Sequence, residues 1–378
     1  MKSYTMIMHT LLLFLLIIPS LTITSHSFVN NTHTHSQLLS FSEAIVEAKV
    51  GDHIRQLIKL NVGTPAQTLK VKLSTAICGI WLLNKDHFQK GIDTSLSTTI
   101  ENLQIDGKVD FTRGIMMKDY INLCGLTSQD KVPFLVVNSF TDETKTPRTY
   151  DGLLGFGFQC RSSSIGNVNL VKLLTKSSEY DQDIMAFTYD SVSTNGRLTI
   201  GKLPSFIHTY DKLYKTTKLD IMNINGHWEV LLHSIYFDDG TLIELKTSLS
   251  IGVGGALFGI GKDIFEYIQY KYFSKLIETD MCKLEKGEVY EIYCDDDYDY
   301  TTFGDVHLII GKWNMKIPVD RLFKTLDNGK KKKVVFKIVY YPSENEQFYL
   351  SQTLLSGVNT IVYNREDYTL GYYQGGEV

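Results

Sequence analysis

The apolar strand Leu69–Leu73 runs into Ser74-Thr75-Ala76, and the Ser74 hydroxyl is a candidate nucleophile if His and Asp partners stand beside it. A serine nucleophile needs a positioned base, and no local motif around Ser74 supplies one. A second apolar strand ends at Ile251-Gly252-Val253-Gly254-Gly255-Ala256, which has the look of a phosphate-cradling loop. The third glycine of G-x-G-x-x-G would fall on Leu257, and at Gly261-Lys262 a P-loop would need a glycine at Ala256 and a hydroxyl at Asp263, so both fingerprints fail. The run Cys294-Asp295-Asp296-Asp297-Tyr298-Asp299 lacks the ligand order and distal glutamate of a calcium loop and reads as a solvated acidic loop. His33 and His35 read as part of a solvated tail. No metal and no cofactor is therefore expected.

The elements that would hold these strand ends are short strands and turns. The chain has 378 residues, enough for two compact units, and 43% hydrophobic residues, enough for a sizeable core. Aromatics make up 12%, with 22 Tyr and 19 Phe, which favours strands over helices. From His53 on, Ile54–Val62, Gln67–Leu73, Gly79–Leu83, Ile115–Leu123 and Val132–Val137 read as strands. Tyr150–Phe158 is apolar with glycines where backbones must pack closely. Met185–Tyr189 and Gly196–Ile200 form a hairpin, as do Val306–Ile310 and Trp313–Ile317 about Gly311-Lys312. Asp327-Asn328-Gly329 is a turn between two further strands, and Lys330–Lys333 is its solvated tip. Leu170–Leu174 reads as a short helix, and Lys262–Tyr270 as a longer one with Ile264, Phe265 and Ile268 on one face and Tyr272 continuing it. A boundary falls within residues 203–214, so the chain divides into 53–208 and 209–378, an all-β protein of two lobes.

The termini and charges bound the setting. Leu11–Ile18 is an unbroken apolar run after Lys2, too short to span a bilayer, so residues 1–27 read as a signal peptide and the mature protein as secreted. Residues 28–52 are a short N-terminal segment with a weakly amphipathic stretch near Phe41–Val50. Asn30 heads the sequon Asn30-Asn31-Thr32, a glycosylation site in a secreted chain. A net charge of −4 argues against a nucleic-acid surface. Of five cysteines, Cys282 and Cys294 are the best pair because a short loop closes cheaply.

Residues 61–81, NVGTPAQTLKVKLSTAICGIW, resemble the first active-site strand of pepsin-like aspartic peptidases (family A1), which read roughly I-G-T-P-x-Q, an apolar strand, then D-T-G-S-x-x-x-W. Gly63, Thr64, Pro65, Gln67 and Trp81 match, while Ser74-Thr75-Ala76 stands where Asp-Thr-Gly belongs. Tyr150–Gly157 is similar to F-D-G-I-L-G-L-G, Leu198–Gly201 to the strand closing the first lobe, and Trp228–Val230 to the start of the second. Gly252-Val253-Gly254 then stands where the second Asp-Thr/Ser-Gly belongs, Leu350-Ser351-Gln352 is a degraded L-G-D, and Val362–Tyr372 resembles the closing strand.

The resemblance implies a bilobal β fold with a cleft between the lobes. The family's reaction needs two carboxylates sharing a proton. Ser74 and Gly252 supply none, so the dyad positions are degenerate and no catalytic residue is expected. Ala76 replaces a glycine that allows close approach of the two turns. The stretch Gln104–Val109, where the family carries its tyrosine-tipped flap, has no tyrosine, and the basic prosegment is missing. The expected remnant cleft is lined by Thr75, Ala76, Gly107, Val253, Gly254 and Gly255. Cys282–Cys294 resembles the second-lobe disulfide, and fold adjacency suggests Cys78–Cys160. The family reading predicts a monomeric non-catalytic binder of a peptide, protein or glycan, with no nucleic-acid or membrane partner. The alternatives are an active endopeptidase, against which stands the absence of any Asp-Thr-Gly or Asp-Ser-Gly, and a decayed paralogue with no distinct role.

Overall fold

The computed structural model describes residues 43–50, 53–109, 111–142, 147, 149–158, 168–176, 182–207, 212–219, 227–255, 257–327, 332–342 and 348–375, with side chains from Gln56 onward. Residues 1–27, read above as a signal peptide, Asn30 and Cys160 lie outside them.

Strand formation follows local pattern. In Gln67–Ser74 the side chains of Leu69, Val71 and Leu73 are buried while Lys70 and Lys72 are more exposed, the period-two alternation of a half-buried strand. It pairs antiparallel with His53–Val62, Val62 facing Gln67 across a turn in which Gly63 takes φ +82°. A β-carbon at Gly63 would lie 2.6 Å from Ser97 Oγ, so only glycine fits this turn.

Each half of the chain repeats one topological device. Gly152–Phe156 threads between Gln67–Ser74, to which it is parallel, and Cys78–Leu83, to which it is antiparallel. In the second half Phe348–Ser351 threads in the same way between Leu242–Gly252 and Phe258–Gly259. Ser74 is opposite Gly155 and Gly252 is opposite Ser351, so the two residues occupy equivalent places in the two lobes. The glycines of Tyr150–Phe158 make the threading possible. β-Carbons at Gly152 and Gly155 would each stand 2.3 Å from a backbone carbonyl, of Trp81 and Ile77.

A shared sheet joins the halves. It runs in the order Tyr214–Lys218, Thr369–Gln374, Val358–Asn364, Ile184–Asp190, Asn195–Ile200, Glu43–Val50 and continues through His53–Val62 and Gln67–Ser74 into the first-lobe strands described above. Two features differ from the sequence reading. Val358–Asn364, the strand before the last, pairs back with Ile184–Asp190, numbered below 209, so a single cut in sequence does not part the lobes. Glu43–Val50 is already paired, to Asn195–Ile200 and to His53–Val62, so the folded body begins at least ten residues before His53. The second lobe is completed by a seven-stranded and a four-stranded sheet, and the fold is all-β and bilobal.

The expected helix is present as Lys262–Ile268, burying Phe265 and Ile268. It then widens into a π turn, Gln269–Phe273. The extra residue per turn rotates Phe273, not Tyr272, fully into the core, and Tyr272 is left half-buried with its ring 4.7 Å from that of Phe303.

Candidate functional site

The two equivalent strand ends meet. Thr75 Oγ1 accepts a hydrogen bond from Val253 N at 2.9 Å, and Thr75 N donates to Val253 O at 3.4 Å. The contact is one-sided, because Val253 has no hydroxyl with which to reach back. It is close because Gly254, at φ +121°, lets the second turn lie against the first; a β-carbon there would stand 2.8 Å from Leu73 O. Ser74 is 7% exposed, and its Oγ accepts from Ala76 N at 3.3 Å. Among the described residues no histidine or carboxylate bonds Ser74 Oγ. His227 lies nearby against the Ala76 backbone, and burial pushes its imidazole below the ordinary value, so it is neutral at physiological pH.

Replacing Thr75 by Val isolates the cross-lobe bond. The substitution keeps the shape and leaves the buried Val253 N–H without its side-chain acceptor. The expected loss is about 1–3 kcal/mol of unfolding free energy, read from urea titration.

At Gly252 the site is filled from elsewhere. A β-carbon on Gly252 would lie 2.8 Å from Thr75 Oγ1, 2.9 Å from Tyr349 Cε2 and 3.1 Å from the Tyr349 hydroxyl. The same ring stands 3.3 Å from a β-carbon built on Gly255. The Tyr349 phenol therefore occupies the volume into which any side chain at 252 would project. Burial, with Tyr341 nearby, pushes this phenol above its ordinary value, so it stays protonated. Its hydroxyl has no hydrogen-bond partner among the described residues. The floor around it is fixed by Ser351 Oγ, which donates to Gly255 O at 2.6 Å, and Thr353 Oγ1, which donates to the same carbonyl at 3.2 Å.

Ser74, Thr75, Gly252, Val253, Gly254 and Gly255 are thus brought together, with Ala76 bonded to Ser74 at their edge. Gly107 is not with them. It sits in the hairpin of Glu101–Val109 with Thr112–Asp119, where a β-carbon would stand 2.5 Å from Leu135 Cδ1 and 2.8 Å from Met116 Sδ. Leu135 and Met116 belong to an apolar cluster around Trp81. Tyr349 was not expected. It lies beside Leu350-Ser351-Gln352, but no spacing in the sequence says that its ring folds over Gly252.

Cys282 and Cys294 are joined, facing each other across a hairpin. The pairing of Cys78 rests on Cys160, outside the described residues. Among the described residues no group of three or more His, Cys, Asp or Glu could hold a metal ion. The side chains at the centre are Ser74, Thr75, Val253 and Tyr349. Their hydroxyls can donate and accept hydrogen bonds, and none is a base at acid or neutral pH.

A family model described as eukaryotic aspartyl protease matches residues 56–374. Vacuolar protease A of Arthroderma otae (strain ATCC MYA-4605 / CBS 113480) is 21% identical over 275 residues, which covers 66% of this chain and 67% of that protein. The threaded strand triplets, the meeting of the turns after Ser74 and Gly252, and a family match over most of the chain lead to one assignment: the chain belongs to the pepsin-like eukaryotic aspartyl protease family.

Proposed function

We propose that this chain is a secreted, non-catalytic member of its family that acts by binding a peptide, protein or glycan. The observation that carries the reading is the Tyr349 ring in the space beside Gly252. With Ser74 and Gly252 at the two strand ends there is no carboxylate pair to activate water and protonate a carbonyl. General-base help alone is worth about 10²–10⁴ in rate, and here the place of the second acid is also filled by a neutral phenol. Secretion is supported by the apolar run Leu11–Ile18 and by the Cys282–Cys294 disulfide, which persists in oxidising compartments. Among the described residues no helix is long and apolar enough to cross a membrane.

The family and the name of the matched relative favour a second reading, an active aspartic-type endopeptidase. One assay separates the two. Purified mature protein is incubated with denatured haemoglobin or casein from about pH 3 to 7, the range in which carboxylates titrate, with and without pepstatin. Peptide release no faster than in a buffer blank is expected throughout. Pepstatin-sensitive release at any pH in that range would overturn the proposal. Affinity capture from the source tissue's secreted fluid then identifies the partner.

A further inference from the structure

The hairpin of Glu101–Val109 with Thr112–Asp119 stands where the family carries its flap, yet its turn is tied down. Phe111 O accepts two hydrogen bonds from one residue, from Thr141 N at 2.8 Å and from Thr141 Oγ1 at 3.1 Å. The Phe111 ring stacks on that of Phe140, with centroids 5.9 Å apart and planes inclined by 28°. Val132–Phe140 pairs with Thr112–Asp119 from Val132 opposite Asp119 out to Phe140 opposite Thr112. The ladder therefore reaches the turn itself and leaves no unpaired length of Thr112–Asp119 to swing.

The strand that holds the turn is itself fixed. On its other edge Val132–Phe140 pairs in parallel with Cys78–Leu83. Phe140 meets the rings of Phe88 and Trp81 edge-on, at 5.7 and 6.0 Å. Asn84 N donates to Val137 O at 3.0 Å, and Asn84 Nδ2 donates to Asn138 Oδ1 at 2.9 Å. These bonds fall at a bulge in the ladder, where Arg113 is opposite Ser139 and Gly114 is opposite Val137. Gly114 lies so close to its neighbour there that a β-carbon would stand 1.8 Å from Val136 O. Val109 and Thr112, on either side of the turn, are buried, and Thr112 Oγ1 donates to Val109 O.

We propose that this hairpin is a fixed wall of the first lobe, latched at its turn by Phe111, Phe140 and Thr141, and that it does not open and close as a lid. A mobile lid is drawn from segments with few buried contacts and few protected backbone bonds. Here the turn has a doubly bonded carbonyl, a ring stack and a ladder that runs up to it. Closure is how a lid expels water from a bound substrate and completes a catalytic site. A latched wall supplies neither step, which is a reason, independent of Ser74 and Gly252, for this chain to bind without reacting. That consequence rests on the binding role proposed above; the latch does not.

Amide hydrogen exchange on the mature, unsubstituted chain, resolved to single residues, reads the latch at Thr141. Its amide should exchange at least about 100-fold more slowly than in an unstructured peptide, and within about tenfold of the hydrogen-bonded amides of Val132–Phe140. Phe111→Ala should raise the Thr141 rate about tenfold, the effect of losing one aromatic pair and its buried area. The amides of Gln67–Ser74 and Cys78–Leu83 should keep their rates. Exchange of Thr141 at the unstructured rate, with Val132–Phe140 still protected, would mean a turn that swings free and would overturn the proposal. A Thr141 rate unchanged in Phe111→Ala would refute the ring stack as part of the latch. The first measurement needs no substitution, so it decides even where the variant fails to fold. Pepstatin-sensitive proteolysis in the assay above would overturn the binding role and leave the Thr141 result standing.

Discussion

Aspartate placed at both 74 and 252 is expected to give a protein without peptidase activity and about 3–5 kcal/mol less stable than the parent. Most of the loss belongs to position 252. The first carbon of the new side chain would stand 2.9 Å from the Tyr349 ring and 2.8 Å from Thr75 Oγ1, so the ring must leave its place or the turn must open. Forcing atoms into a packed site costs about 1–3 kcal/mol, and burying a carboxylate with imperfect partners adds a comparable amount. Ser74, at 7% exposure, contributes a second buried charge. A double-mutant cycle of Gly252→Asp with Tyr349→Ala should show the cause as a coupling of about 1–3 kcal/mol, because removing the ring makes room for the carboxylate. Even then catalysis is not expected, since Ala76 and Val253 are unchanged and the hairpin over Trp81 has no tyrosine. Gly252→Asp as stable as the parent in urea would mean that Tyr349 swings aside freely, and the argument from its packing would fail.

The parts of this site that were legible are those written in local pattern. Leu69, Val71 and Leu73 alternate with lysines, and the strand Gln67–Ser74 follows. Met185–Tyr189 with Gly196–Ile200, and Val306–Ile310 with Trp313–Ile317, are pairs closed by nearby turns, and both hairpins formed. What was not legible depends on distant partners. Glu43–Val50 is a strand because Asn195–Ile200 lies beside it, a condition its own eight residues do not encode. Ile115–Leu123 breaks into Thr112–Asp119 and Ile121–Leu123 because buried Asp119 takes hydrogen bonds from Ser97 Oγ, Thr99 Oγ1 and Tyr120 N, and the chain bends to meet them. Gly107 fits the spacing of a flap, but its position is set by Leu135 and Met116. Tyr349 is the extreme case: its effect on the site is steric exclusion by a ring, visible only when Phe348–Ser351 is threaded beside Leu242–Gly252.

The atoms that join the lobes and the atoms that would do chemistry are different atoms. Thr75 Oγ1 ties the first turn to Val253 N, and Ser351 Oγ and Thr353 Oγ1 hold Gly255 O. None of these bonds involves a side chain at 74 or 252. A chain with serine and glycine there keeps the bonds between its two turns, and the Tyr349 ring packs closely beside Gly252.

Removing the disulfide should have the other large effect. Cys282→Ala with Cys294→Ala is expected to lower the unfolding free energy by about 3 kcal/mol, the chain-entropy value for a loop of this length, whose ends are 12 residues apart. Alanine is the better probe than serine, because both cysteines are buried, at 1% and 2% exposure, and serine would strand two hydroxyls. The midpoint in urea should fall with the slope little changed, since the surface exposed on unfolding is nearly the same. The same hairpin is also closed without sulfur. Lys283 pairs with Tyr293, Leu284 with Ile292 and Lys286 with Tyr290, and Tyr293 continues to Val335 on the next strand. If that ladder persists in the unfolded ensemble, the crosslink restrains little that is not already restrained, and the measured loss will fall below about 1 kcal/mol. A full loss near 3 kcal/mol would instead show that the hairpin opens on unfolding and that its covalent closure stabilises the four-stranded sheet of the second lobe.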